Sequence, residues 1–193
     1  MIRTIGVLIG IFCVLGIYFG PSILFPIPTL DPKDNPAIEQ FVIQHTNDER
    51  MAAGLPPLVH DPLISDIARA HSENMSRLGL SHDLEDREPT DRALRAGYNC
   101  RAYRADGSYT YGLSENILQY PVASHLDGFE TISEAVAHDL VNSWMASAGH
   151  RANILDEDVH KIGVGIALLE NASDGQGWTG SVIFATQNFS SCR

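Results

Sequence analysis

Two imidazoles and a carboxylate stand out from an otherwise ordinary set of polar residues. His82 and His150 each follow on the end of a helical pattern, where an imidazole projects over a groove and meets the negative end of a helix dipole. Glu115 lies between Ser114 and Asn116, just ahead of the apolar pair Ile117-Leu118, so it is a carboxylate entering a buried segment. Burying an ionised carboxylate is unfavourable unless a cation or hydrogen-bond donors meet it. Together the three groups suit a divalent-cation set or a general acid/base set. The plain alternative is that each histidine only caps a helix and the three never converge.

The other histidines read differently. His71 falls on the apolar face of a helical segment and fits a packed core residue. His138 lies off the apolar stripe of its helix and reads as solvated, and His45 sits at a buried edge and fits either role. The sequence contains no HExxH, P-loop, GxGxxG or GxSxG pattern, and no CxxC or zinc-finger spacing.

The elements that must position these groups are legible from periodicity. Ile38, Phe41, Val42 and His45 recur at helical spacing, and Gly54 with Pro56-Pro57 stops that helix. Asp61-Pro62 opens a second helix, with an N-cap followed by proline at the first helical position, and Gly79 closes it. Residues 83–91 read as a charged loop, and a short helix runs from Asp91 to Ala96. One short strand is expected around Cys100 to Tyr103, and a surface loop over 118–130. Thr131-Ile132-Ser133-Glu134 is a capping box. It starts a helix that is expected to run to Gly149, whose left-handed turn would point His150 into a cleft. Arg151 then either caps exposed carbonyls or pairs with one of the acidic loops. Residues 162–168 and 178–189 read as a final hairpin. Helices first and a hairpin last predict an α+β fold built on an antiparallel sheet.

Bulk properties narrow the classes. The chain has 193 residues and a formal charge of −11, with 44% hydrophobic and 19% charged residues. That is one folded domain with a real core. No Lys/Arg stripe exists, so nucleic acid is not an expected partner. Residues 1–30 carry an apolar run after Arg3 that reaches membrane-spanning length, which reads as a signal anchor in preference to a cleaved signal peptide. Either reading exports the rest of the chain. Residues 31–37 continue a proline-rich stalk, and the domain is taken as 38–193. Cys13 lies in the apolar run, which leaves Cys100 and Cys192 either as a disulfide or as two free thiols.

Several segments, in order, resemble the CAP family, also called SCP/PR-1-like (cysteine-rich secretory proteins, antigen 5 and pathogenesis-related 1), in its microbial form. They are HTNDERMAAGLPPLVHDPLISDIARAHSENM, LGLSH, SENI, VNSWMASAGHRANIL, HKIGVGIAL and VIFATQNF. The resemblance implies a three-layer α–β–α sandwich with a cleft that holds a divalent cation such as zinc in some relatives. It places His82, Glu115 and His150 in that cleft as candidate metal ligands. It also puts Ser147 where relatives carry a second glutamate, which removes one carboxylate. Glycine is replaced by Ser114 before Glu115, and Asp83-Leu84-Glu85-Asp86 stands where microbial members carry a proline-aspartate-glycine turn.

Two functions remain. The favoured one is a surface binding module whose cleft takes a small ligand, lipid or peptide, with the cation optional and the membrane met through the N-terminal helix. The alternative is a hydrolase. It would use Glu115 and His150 with a metal-activated water, or Ser114 or Ser147 activated by His150.

Overall fold

The computed structural model describes residues 29–193, apart from 86, 123–128, 174 and 178. The expected membrane anchor therefore lies outside the described residues, except for its last two. Among the described residues no helix is long and apolar enough to cross a membrane.

The domain starts earlier than its first helical pattern suggests. Leu30 is buried in the main core, Pro32–Asp34 form a 3-10 turn capped by Asp31, and α1 spans Asn35–Ala52. Proline at the first helical positions shaped this region differently from the extended stalk expected over residues 31–37. β1 (Val59–His60) follows, then α2 (Pro62–Leu78), whose Asp61 side chain accepts from the Leu63 and Ile64 amides. α3 covers Pro89–Arg95, and β2 (Arg101–Tyr103) pairs with β3 (Tyr109–Tyr111) as a separate two-stranded ribbon. β4 (Ser114–Pro121), α4 (Ile132–Ala146), α5 (Ala148–Ile154), β5 (Lys161–Ser173) and β6 (Thr179–Ser190) complete the chain.

The main sheet has four strands in the order β1-β5-β6-β4. Its three long strands are antiparallel, as expected, whereas the two-residue edge strand β1 runs parallel to β5. Strand alternation explains the layering. On β5, Ile162, Val164 and Ile166 point to one face and meet Ile38 and Val42 of α1, and Leu140 and Trp144 of α4, in the largest core cluster. The intervening Gly163 and Gly165 face α2. A Cβ at Gly165 would stand 2.0 Å from the Arg69 nitrogen, so the missing side chain is what lets α2 lie against the sheet. Met75 of α2 packs on that same face with Ile117, Val182 and Phe184. Helices thus cover both faces, giving the expected α–β–α sandwich. The Cys100–Cys192 disulfide forms and ties the end of the chain to the start of the small ribbon.

Two local expectations fail. Residues 118–121 belong to β4 and not to a surface loop. The long helix also ends before Gly149. Ser147, with φ −92° and ψ 124°, is at once the C-cap of α4 and the N-cap of α5, and Gly149 and His150 lie inside α5. The chain changes direction through one extended serine, so no left-handed glycine is required.

Candidate functional site

β4 is an edge strand, and its first residues hold both helical layers. Glu115 pairs in register with Asn188 and points to the α2 face, while Asn116 pairs with Gln187 and points to the other. These two neighbours in sequence therefore serve opposite sides of the sheet.

On the α2 side, the Glu115 side chain is 1% exposed and is met by three cationic or imidazole groups. The Nδ1 of His82 donates to Oε1 at 2.9 Å, the Nε2 of His71 stands 3.6 Å from the same oxygen, and Arg92 donates to Oε2. A carboxylate only accepts, so His82 carries its proton on Nδ1. Its other nitrogen is left for solvent or ligand, and the side chain is 48% exposed. The hydrogen bond to Glu115 raises the His82 pKa, with burial opposing it. Arg92 also donates to the carbonyls of His82 and Arg87, so one guanidinium braces the loop that carries His82 against the buried carboxylate.

His71 is fully buried, as its place on the apolar face predicts, but neither ring nitrogen has a hydrogen-bond partner. Burial lowers its pKa, and the nearby Glu115 charge pulls the other way. The residue is thus a core histidine and, in addition, a neighbour of the site.

On the opposite face, Asn116 donates to the His150 carbonyl at 3.0 Å and to the Gln187 side chain at 3.1 Å. Asn153 donates to the Asn116 side chain at 2.8 Å. Trp144 donates its indole N–H to the Ile117 carbonyl, and Ile154 is fully buried. α5 is thereby fixed against the start of β4 by its backbone and by Asn153. Arg151 donates to the Met145 carbonyl at the end of α4, which is the capping expected of it. The His150 ring stays partly exposed, and its pKa is lowered by burial and then by the charge of His82.

The structure thus brings His82 onto Glu115, while Asn116 holds the backbone of His150 on the opposite face of the sheet. Ser147 lies partly buried at the α4–α5 junction, and Ser114 at the start of β4. Among the described residues neither serine side chain bonds to a histidine, and no group of three or more His, Cys, Asp or Glu side chains is arranged to hold a metal ion. As arranged, Glu115 accepts one hydrogen bond from His82 and one from Arg92, the position of a carboxylate that orients an imidazole.

Arg92 is the participant that sequence reasoning missed. Its signal was the demand of buried Glu115 for a cation, but several arginines were equally available in the chain order. Arg50 was missed as well. It is fully buried and donates to the carbonyls of Pro56, Ile154 and Asp156, which locks the exit of α5 to the end of α1.

Comparison with known proteins agrees with this fold. An SCP-domain extracellular protein from Bacillus anthracis superposes with a TM-score of 0.56 at 26% identity, over 84% of this chain and 44% of that one. An outer surface protein from Borrelia burgdorferi gives 0.56 at 16% identity, over 83% of this chain and 95% of its own, a likeness of fold alone. The uncharacterized protein YkwD of Bacillus subtilis is 31% identical over 139 residues, which is 71% of this chain. The match spans only 45% of YkwD, so this chain corresponds to less than half of that relative. The cysteine-rich secretory protein family pattern (CAP) matches residues 43–189, which contain every residue of the site just described, and the chain is a member of that family.

Proposed function

We propose that the chain is an exported recognition module, held at the membrane by its N-terminal apolar segment or released if that segment is cleaved. In this reading the edge of β4 presents His82 and His150 to a small ligand or peptide. The observation that carries the reading is the state of Glu115. Each of its oxygens accepts from a protein donor, which commits its charge to His82 and Arg92. A carboxylate used this way orients an imidazole and ties down a loop, which are binding-site tasks. The outward nitrogen of His82 and the partly exposed ring of His150 remain as the polar contacts a ligand would meet. The extracellular and surface descriptions of the related proteins support an exported address.

The test is a zinc titration of the protein by calorimetry, together with turnover on peptide and ester panels. It is repeated with His82→Gln, His150→Ala and Glu115→Ala, each checked for folding by circular dichroism. The expectation is no metal-dependent turnover, and any zinc affinity carried by the two imidazoles and weakened about 10–100-fold in a folded Glu115→Ala variant, which loses the partner that orients His82. Zinc-dependent hydrolysis that disappears in the folded His82→Gln and His150→Ala variants would replace this reading with the hydrolase.

A further inference from the structure

A second concave site lies between α2 and α3, away from the exposed imidazoles. It encloses about 330 Å³ and is lined on one side by Leu63, Ile67 and Ala70 of α2, with Ala96 after α3. The other side carries Arg87, Arg92 and Arg95. Such a volume is at the lower end of small-molecule sites, which pair an apolar floor with a few placed polar groups.

The charge is unusual for this molecule. In a chain of net charge −11, three arginines line one pocket, of which Arg87 pairs with Glu85 at 3.2 Å and Arg92 with Glu115. Asp66 also lines it, but that carboxylate is held by Arg69 at 2.8 Å. Arg95 has no ion-pair or hydrogen-bond partner among the described residues.

The pocket also reaches polar atoms that the fold leaves unsatisfied. The Arg92 side chain is 10% exposed, and its buried Nε has no acceptor. His71, fully buried, lines the same pocket with both ring nitrogens unpartnered. Buried donors without acceptors are costly, and an acceptor supplied from outside would relieve them. A flat two-oxygen head matches the guanidinium fork, and the apolar floor requires a hydrophobic body behind it.

We propose that the pocket between α2 and α3 binds a small organic carboxylate, its head on Arg92 and Arg95 and its apolar body on Ile67, Ala70 and Ala96. His82, Ser147 and His150 do not line this pocket, but Arg92 and His71 connect it to the recognition site at β4 through Glu115.

The test uses the purified full chain and 3-phenylpropionate, followed by calorimetry and by amide shifts in NMR spectra. A ligand of this size is expected to bind with Kd on the order of 1 mM. Acetate, which lacks the body, and 3-phenylpropanol, which lacks the charge, are each expected to bind at least tenfold more weakly. Arg95→Gln, at an exposed position, is expected to weaken phenylpropionate about tenfold, the loss typical of one charge-assisted hydrogen bond. Ala70→Trp, also at an exposed helical position, fills the pocket and is expected to abolish binding while the circular dichroism spectrum is kept. Saturable binding with shifts at Ile67, Ala70 and Ala96, lost in Ala70→Trp, supports the proposal. No binding at 10-fold above the expected Kd (on the order of 10 mM), equal binding to Ala70→Trp, or phenyl phosphate binding more tightly than phenylpropionate would each overturn it.

Discussion

Replacing Glu115 by glutamine tests how the site is held together. The change keeps size and shape but removes the charge that faces Arg92, whose side chain is only 10% exposed, and His82. Breaking a buried pair leaves the surviving charge uncompensated, at a typical cost of about 3–5 kcal/mol. The glutamine oxygen still accepts one hydrogen bond, so the lower end, about 3 kcal/mol, is expected. For a chain of this length that corresponds to a fall in Tm of roughly 6–12 °C. Urea denaturation with the disulfide intact measures it directly. Adding Arg92→Met removes the stranded cation, and the double variant should be more stable than the sum of the two single effects by about 2 kcal/mol. A Glu115→Gln variant within about 0.5 kcal/mol of the parent, or strictly additive effects, would refute the claim that this ion pair braces the site.

Three other outcomes are expected. Gly165→Ala would drive a Cβ to 2.0 Å from the α2 backbone, so a Tm drop of several degrees or failure to fold is expected, while Gly175→Ala in the β5–β6 turn costs only its backbone strain. Replacing both Cys100 and Cys192 by serine opens a link spanning 92 residues and should lower stability by up to about 4–5 kcal/mol on the chain-entropy estimate, read as a urea midpoint under oxidising conditions. Acidification should destabilise the fold as pH falls below about 6.5, because burial holds His71, His45 and His150 below their unfolded pKa and the unfolded chain takes up those protons first. His82 opposes this. Its raised pKa gives stability that is full below the unfolded value and lost as pH rises through the folded one. A His82→Gln variant should therefore show a steeper acid-side loss in urea midpoints taken from pH 7.5 to 5.

Local order was legible wherever one residue decides one feature. Asp61-Pro62, Thr131 and Gly79 mark helix ends by their own chemistry, and each does so in the structure. The last two strands are buried on both faces, and their short apolar runs were equally readable. β4 was not. Its first half is covered on both faces by helices, so Glu115, Asn116 and Ile117 are all buried and no polar/apolar alternation survives in the sequence. The break at Ser147 escaped for a related reason, since helical propensity continues through Ala148 and Gly149 while packing turns the backbone at one residue.

The sequence by itself determined the α+β class, the caps of α2 and α4 at Asp61, Gly79 and Thr131, the two cysteines able to pair and the residues that composition leaves over from the core. Only the tertiary structure decided what those leftover residues do. Glu115 needed a cation, and nothing along the chain distinguished Arg92 from other arginines. The choice was made by α3 lying across the end of β4, because electrostatic partners are set by distance through space and by the solvent that packing removes.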